Sequence, residues 1–190
     1  MIYIFLAKGF EEIEAVAPID ILRKAGLKVT TVGIGDTVIP GNVGLKILAD
    51  IKDTEFNPED ASAIIIPGGY GGAKRLAQSQ IVLSAIKQCY EKDGIIGAIC
   101  AGPSVLAKAG VLNNKKITCY PGIEDKIESK TVKILKKDVV TDGNIVTAIG
   151  PGAALKFAYT LVSVILNKEK SLDLQQSMCY SFNSLISFTA

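Results

Sequence analysis

Short apolar runs alternate with segments of helical spacing from one end of this chain to the other, and few folds accommodate that pattern. The runs are Ile2 to Ala7, Lys28 to Gly33, Ala63 to Pro67, Gly94 to Ile99, Lys116 to Tyr120 and Ile145 to Ala148. Helical spacing covers Ile13 to Ala25, Lys74 to Ala77 with Ile81 to Lys92, Ser104 to Ala109, Ile123 to Ile127 and Gly152 to Leu166. Continuous apolar runs signal strands covered on both faces, and repeated βα units build a mostly parallel sheet between two helical layers. The expected fold class is therefore α/β. Val38 to Asp50, which contains Pro40-Gly41-Asn42, reads as a hairpin excursion, and Thr131 to Lys136 as a further short strand before a turn at Asp142-Gly143-Asn144.

Hydrophobic residues make up 48% of the 190 positions, enough for one large core. Residues 1–167 read as a single domain without repeat or linker. The remaining 168–190 form a tail that opens on a charged break at Lys168 to Lys170; it ends as a capping helix around Leu174 to Tyr180 or as a disordered segment. The helix from Gly152 to Leu166 is apolar around most of its circumference. One side suits the sheet and the other a second subunit, so a homodimer is expected.

Composition also removes classes of function. A net charge of +2 without a basic run lacks the electrostatic footprint of nucleic-acid binding. No apolar stretch approaches the roughly 18 to 20 residues of a membrane span, and the first strand follows no charged leader. The expectation is a cytoplasmic protein with small-molecule or protein partners. Cys89, Cys100, Cys119 and Cys179 include no CxxC pair, which disfavours a disulfide framework or a zinc site. The chain has no histidine, so a Ser-His-Asp triad, a Cys-His dyad and histidine-ligated metals are excluded. Neither a metal nor a cofactor is expected, and proton transfer falls to carboxylates, tyrosine or a thiolate.

The chemistry concentrates in Ile95-Ile-Gly-Ala-Ile-Cys100-Ala-Gly-Pro-Ser-Val-Leu-Ala107, where a strand stops at one cysteine and small residues turn the chain into a helix. This is the layout of a nucleophile elbow. Pro103 suits the first helical turn, and the helix dipole is expected to lower the Cys100 pKa; the alternative is a buried cysteine at a strand end. Glycines gather at three strand ends, at Gly9, at Gly68-Gly69-Tyr70-Gly71-Gly72 and at Gly150-Pro151-Gly152. Ligands bind at such ends in open α/β sheets. The Gly69 and Ala101 amides suit an oxyanion hole, whereas the glycine run lacks the Lys-Ser/Thr ending of a phosphate loop. In the helix after the first strand, Glu11 and Glu12 suit dipole complements. Glu14 stands among Ile13, Ala15, Val16 and Ala17, one turn before Pro18, where a kink is expected. Near a cysteine its pKa would be raised, and a neutral Glu14 could donate to a Cys100 thiolate.

The series GFEEIE with Pro18 and Asp20, IIIPGG, GAICAGPSVLAKAG, ITCYP and IGPGAALKFA, in order from Met1 to about Leu166, resembles the ThiJ/PfpI superfamily in the branch of the parkinsonism-associated deglycase (DJ-one-like). The resemblance implies a flavodoxin-like α/β/α sandwich and a homodimer. It also implies a nucleophile at Cys100, its carboxyl partner at Glu14 and oxyanion donors at Gly69 and Ala101. The activities it implies are a cofactor-free glyoxalase acting on methylglyoxal or a deglycase acting on early glycation adducts; the alternatives are an oxidative-stress sensor through Cys100 and a dimeric chaperone. Two departures stand out. Tyr120, in Cys119-Tyr120-Pro121, replaces the histidine of many relatives, which disfavours a protease and leaves only a phenol to donate a hydrogen bond. Val43 stands where some relatives carry an arginine.

Overall fold

The fold follows from strands that are apolar at nearly every position and so demand cover on both faces. In the computed structural model, which describes residues 1–127, 129 and 131–180, the first half runs β1 (Ile2–Leu6), α1 (Glu12–Lys24), β2 (Val29–Gly33), β3 (Val38–Pro40), β4 (Lys46–Leu48), β5 (Ile51–Lys52), β6 (Ala63–Ile66), α2 (Tyr70–Leu76) and α3 (Gln80–Glu91). The second half runs β7 (Ile95–Ile99), α4 (Pro103–Lys108), β8 (Lys116–Ile117), β9 (Lys133–Ile134), β10 (Val139–Asp142), β11 (Ile145–Ala148), α5 (Ala154–Ile165) and α6 (Lys168–Ser177). The main sheet has the order β10-β11-β7-β6-β1-β2-β5 and is parallel except for the edge strand β10. Helices α1, α5 and α6 pack together on one face, and α2, α3 and α4 on the other. This is a flavodoxin-like α/β arrangement.

Several expectations are corrected. Only Lys116 and Ile117 of the fifth run are strand, and they pair with β9 in a separate two-stranded ladder. The sheet edge is instead β10, which folds back on β11 through Asp142-Gly143-Asn144. The segment Ile123 to Ile127 closes only a short 3-10 turn at Glu124–Lys126. The α2 helix starts directly at Tyr70, and α1 runs unbroken through Pro18.

The largest correction concerns α5. Its second apolar side is covered within the chain by α1 and α6, and Phe157 and Tyr159 are core residues. Gly97 of β7 lets the helix approach the sheet closely: a Cβ there would lie 3.1 Å from both Phe157 and Leu161. The charged break at Lys168 is the first turn of α6, capped by Asn167, whose side chain accepts from the Lys170 amide at 2.9 Å. Buried Ser171 then donates to the Tyr159 carbonyl at 2.8 Å and accepts from Gln175 at 3.1 Å, tying α6 to α5. Residues 181–190 of the expected tail lie outside the described residues.

Candidate active site

Strands β1, β6 and β7 are neighbours in the sheet, and the segments after their carboxyl ends converge. After β7 the chain turns at Cys100, which takes φ 62°, a left-handed conformation unusual for a side chain with a Cβ. Bonds on both sides hold that conformation. The Cys100 amide donates to the Ala148 carbonyl and its carbonyl accepts from the Tyr120 amide, both at 2.9 Å. Gly102 then passes so close to β6 that a Cβ would meet the Ile66 carbonyl oxygen at 2.5 Å. Pro103 follows at the start of α4. Strand, left-handed cysteine and tight small-residue turn together make the expected elbow.

Glu14 reaches this point from α1. The helix buries Glu14, Ala15, Pro18, Ile21 and Leu22 and leaves Ile13 and Val16 exposed, at 56% and 47%. A carboxyl thus occupies the inward position while aliphatic side chains face outward. Its Oε2 accepts from the Gly68 amide at 2.8 Å, and its buried Oε1 has no conventional hydrogen-bond partner among the described residues. The carboxyl and the Cys100 thiol are close enough to act on each other's ionisation. Gly68 makes this approach possible: a Cβ there would lie 2.5 Å from Glu14 Oε2, 2.7 Å from Cys100 Cβ and 2.9 Å from the Ala101 nitrogen. The Gly69 and Ala101 amides both act on the Cys100 sulfur. The structure therefore brings together Cys100, Glu14, Gly69 and Ala101.

Burial raises the Glu14 pKa to about 7, against opposing contributions from Cys100 and the Gly68 amide. The expected lowering of the thiol pKa does not occur. Burial first, and then the Glu14 charge and its hydrogen bond, push Cys100 up to about 12, and the Gly69 and Ala101 amides only reduce that rise. A helix of six residues, Pro103–Lys108, offsets little of the desolvation of a thiol only 9% exposed. When Glu14 carries the proton, its repulsion on the sulfur is gone and the two amides work against burial alone.

Tyr120 has a different setting. Its amide joins the elbow, but the side chain is 48% exposed and its ring packs beside Gly150, in a recess shared with Pro121, Asp138 and Pro151. Its structural link to Cys100 is through the backbone. Val43 is also exposed, and its amide donates to Glu12 Oε1 at 2.8 Å. Glu12, expected to serve as a dipole complement, is buried and ties the hairpin β3–β4 to α1. The sequence places Gly68 in a glycine run at a strand end, where close backbone approach is possible; its position at the meeting point of acid, thiol and amide depends on two other strands.

The profile of the DJ-1/PfpI family matches residues 1–164. The chain belongs to this family. Among DJ-1/PfpI members, protein dj-1beta of Drosophila melanogaster is 33% identical over 181 residues, 95% of this chain and 97% of that protein. A Caenorhabditis elegans relative named glutathione-independent glyoxalase DJR-1.2 is 33% identical over 169 residues, covering 89% of this chain and 90% of its own. The crystal structure of Drosophila melanogaster DJ-1beta superposes with a TM-score of 0.90 at 32% identity, covering 95% of this chain and 98% of that one. That of oxidised Toxoplasma gondii DJ-1 gives 0.89 at 31% identity, with the same coverages of 95% and 98%.

Proposed function

We propose that this protein is a cofactor-independent glyoxalase or deglycase that acts on methylglyoxal-type oxoaldehydes or their early adducts through Cys100. The observation that carries the reading is the buried pair: a glutamate with a pKa of about 7 beside a thiol on which two backbone amides converge. The name of the nematode relative supports the same class of reaction. In this reading the Cys100 thiolate, formed as Glu14 takes its proton, adds to the aldehyde carbon, and the Gly69 and Ala101 amides stabilise the resulting alkoxide. Glu14 returns a proton to that oxygen to give a hemithioacetal. The carboxylate then carries the proton from the sulfur-bearing carbon to the neighbouring one, while the hydroxyl proton passes to the neighbouring oxygen, so the first carbon is oxidised to a thioester and the second reduced to an alcohol. Water cleaves the resulting thioester, releasing lactate and regenerating the thiol. No external oxidant or reductant enters the balance.

Lactate formation from methylglyoxal without glutathione tests the reading. Cys100→Ser is expected to abolish turnover, and Glu14→Gln to lower kcat by about 10²- to 10⁴-fold, the usual range for a lost general acid–base group. Full turnover in either variant would refute it.

One observation favours a second reading, oxidation of Cys100 as a stress response: the amides and carboxyl around the sulfur suit the oxygens of a sulfinate. A relative has been crystallised in an oxidised form. Peroxide titration that loads Cys100 ahead of Cys89, Cys119 and Cys179 is its signature. The free thiols suit a reducing, cytoplasmic compartment. A homodimer is also part of the proposal, now placed on the outer face of α1 and the hairpin β3–β4, where Ile13, Val16, Leu45 and Leu48 are exposed.

A further inference from the structure

Beside the reacting pair lies a cleft of about 380 Å³ that the chemistry above leaves unused. Two of its walls are helices that begin at the site. Helix α2 starts directly after Gly69 and turns Tyr70 and Lys74, four residues apart on one face, towards the cleft. The opposite wall carries Ala101, whose amide acts on the Cys100 sulfur, and Lys108 at the end of α4. Asp125 and Lys126, from the loop after Tyr120, close the third side. The cleft therefore meets the active site at Ala101.

Its charge is unbalanced, with three lysines facing one aspartate. Lys126 donates to the Tyr70 hydroxyl at 2.6 Å and lies 3.9 Å from the centre of its ring. The hydrogen bond and charge of Lys126, with a smaller contribution from Lys74, hold that hydroxyl below its ordinary pKa. Neither Lys74 nor Lys108 is ion-paired with a described residue. Ammonium groups gathered around a concave space repel one another, and an anion placed among them removes that repulsion and is drawn in by their field. Methylglyoxal is neutral and has only three carbons, so it leaves the cleft almost empty.

We propose that the cleft holds an anionic group of the substrate, so that the compound whose carbonyl meets Cys100 is an oxoaldehyde, or an adduct of one, carrying a carboxylate or phosphate. This rests on the oxoaldehyde reading above and narrows it to acidic members of that class. Lys74, Lys108 and Lys126 are then specificity-determining residues, with Tyr70 as a hydroxyl donor.

The test compares phenylglyoxal with 4-carboxyphenylglyoxal, which differ only in the distal charge. The kcat/KM for 4-carboxyphenylglyoxal divided by that for phenylglyoxal is expected to fall about tenfold from the wild type to the Lys74→Gln/Lys108→Gln/Lys126→Gln variant, within the range seen for steering by charged clefts. Salt should lower the wild-type ratio, and the corresponding triple arginine variant should retain it. An unchanged ratio in the glutamine variant overturns the proposal. If neither compound is turned over, the oxoaldehyde reading fails on its own account and the cleft is tested by binding. Phenylphosphonate should then shift the Tyr70 and Ala101 amide resonances of the wild type but not those of the glutamine variant, and equal shifts, or none, overturn the proposal.

Discussion

At Glu14 the fold keeps a carboxyl protonated well above its ordinary range. The group moves from an ordinary 4.5 to about 7, with burial the largest cause. Between those values the folded chain binds a proton that the unfolded chain has released, so stability falls as pH rises through this window and levels off above it. The full decline amounts to about 3 kcal/mol, because each tenfold change in proton affinity is worth roughly 1.4 kcal/mol. Glu14→Gln cannot titrate, so the wild-type urea midpoint should fall relative to that of the variant between pH 5 and 7.5. Parallel curves for variant and wild type would show that the carboxyl titrates normally. The sequence made Cys100 and Glu14 candidates through an elbow of small residues and a carboxylate on an apolar turn. The acidity of the thiol was misread for a physical reason: a dipole can be inferred from one helix, whereas desolvation depends on how closely Gly68 and Gly102 let neighbouring segments approach.

Among the elements, α5 shows where a local pattern misleads. An apolar circumference has the same appearance whether its second side is covered by another subunit or by the chain itself, and here α1 and α6 supply the cover. Phe157→Glu therefore places a charge in the core beside Gly97 rather than at an interface. It is expected to cost more than about 3 kcal/mol, the low end of the range for emptying a buried Phe site, and to lower the urea midpoint sharply. A soluble, fully stable monomer would contradict this placement. Strands β1, β6 and β7 are legible as continuous apolar runs closed by a turn signal, and β2 and β11 as short β-branched runs whose only polar residues are threonines. Edge strand β10 was not, since Val139–Asp142 has only four residues of mixed polarity and gains its order from pairing with β11. The Lys168 turn was misread as a break because the Asn167 cap and the buried Ser171–Gln175 pair become meaningful only once α5 is in place.

For the whole molecule, aliphatic surface gathers where α1 meets the hairpin: exposed Val16 and half-buried Ile19 and Ile47 border one shallow recess there, and Ile13 and Leu48 are exposed nearby. If a second copy covers that face, Val16→Glu should convert the protein from dimer to monomer in sedimentation velocity while leaving its secondary structure intact. A wild type that sediments as a monomer at high concentration would remove the homodimer from the proposal. The junction of Glu14, Gly68 and Cys100 also has a bearing on how the molecule matures. The acid and the amide that anchors it are 54 positions apart, and the thiol comes from a third strand. Such distant parallel pairings form late and slowly. During synthesis, the glutamate emerges before the glycine that will hold it, and both precede the sulfur. Until β7 is seated beside β6, Cys100 is an ordinary accessible thiol without its guard, so the newborn chain is open to indiscriminate alkylation and oxidation at a residue that the finished fold leaves only 9% exposed.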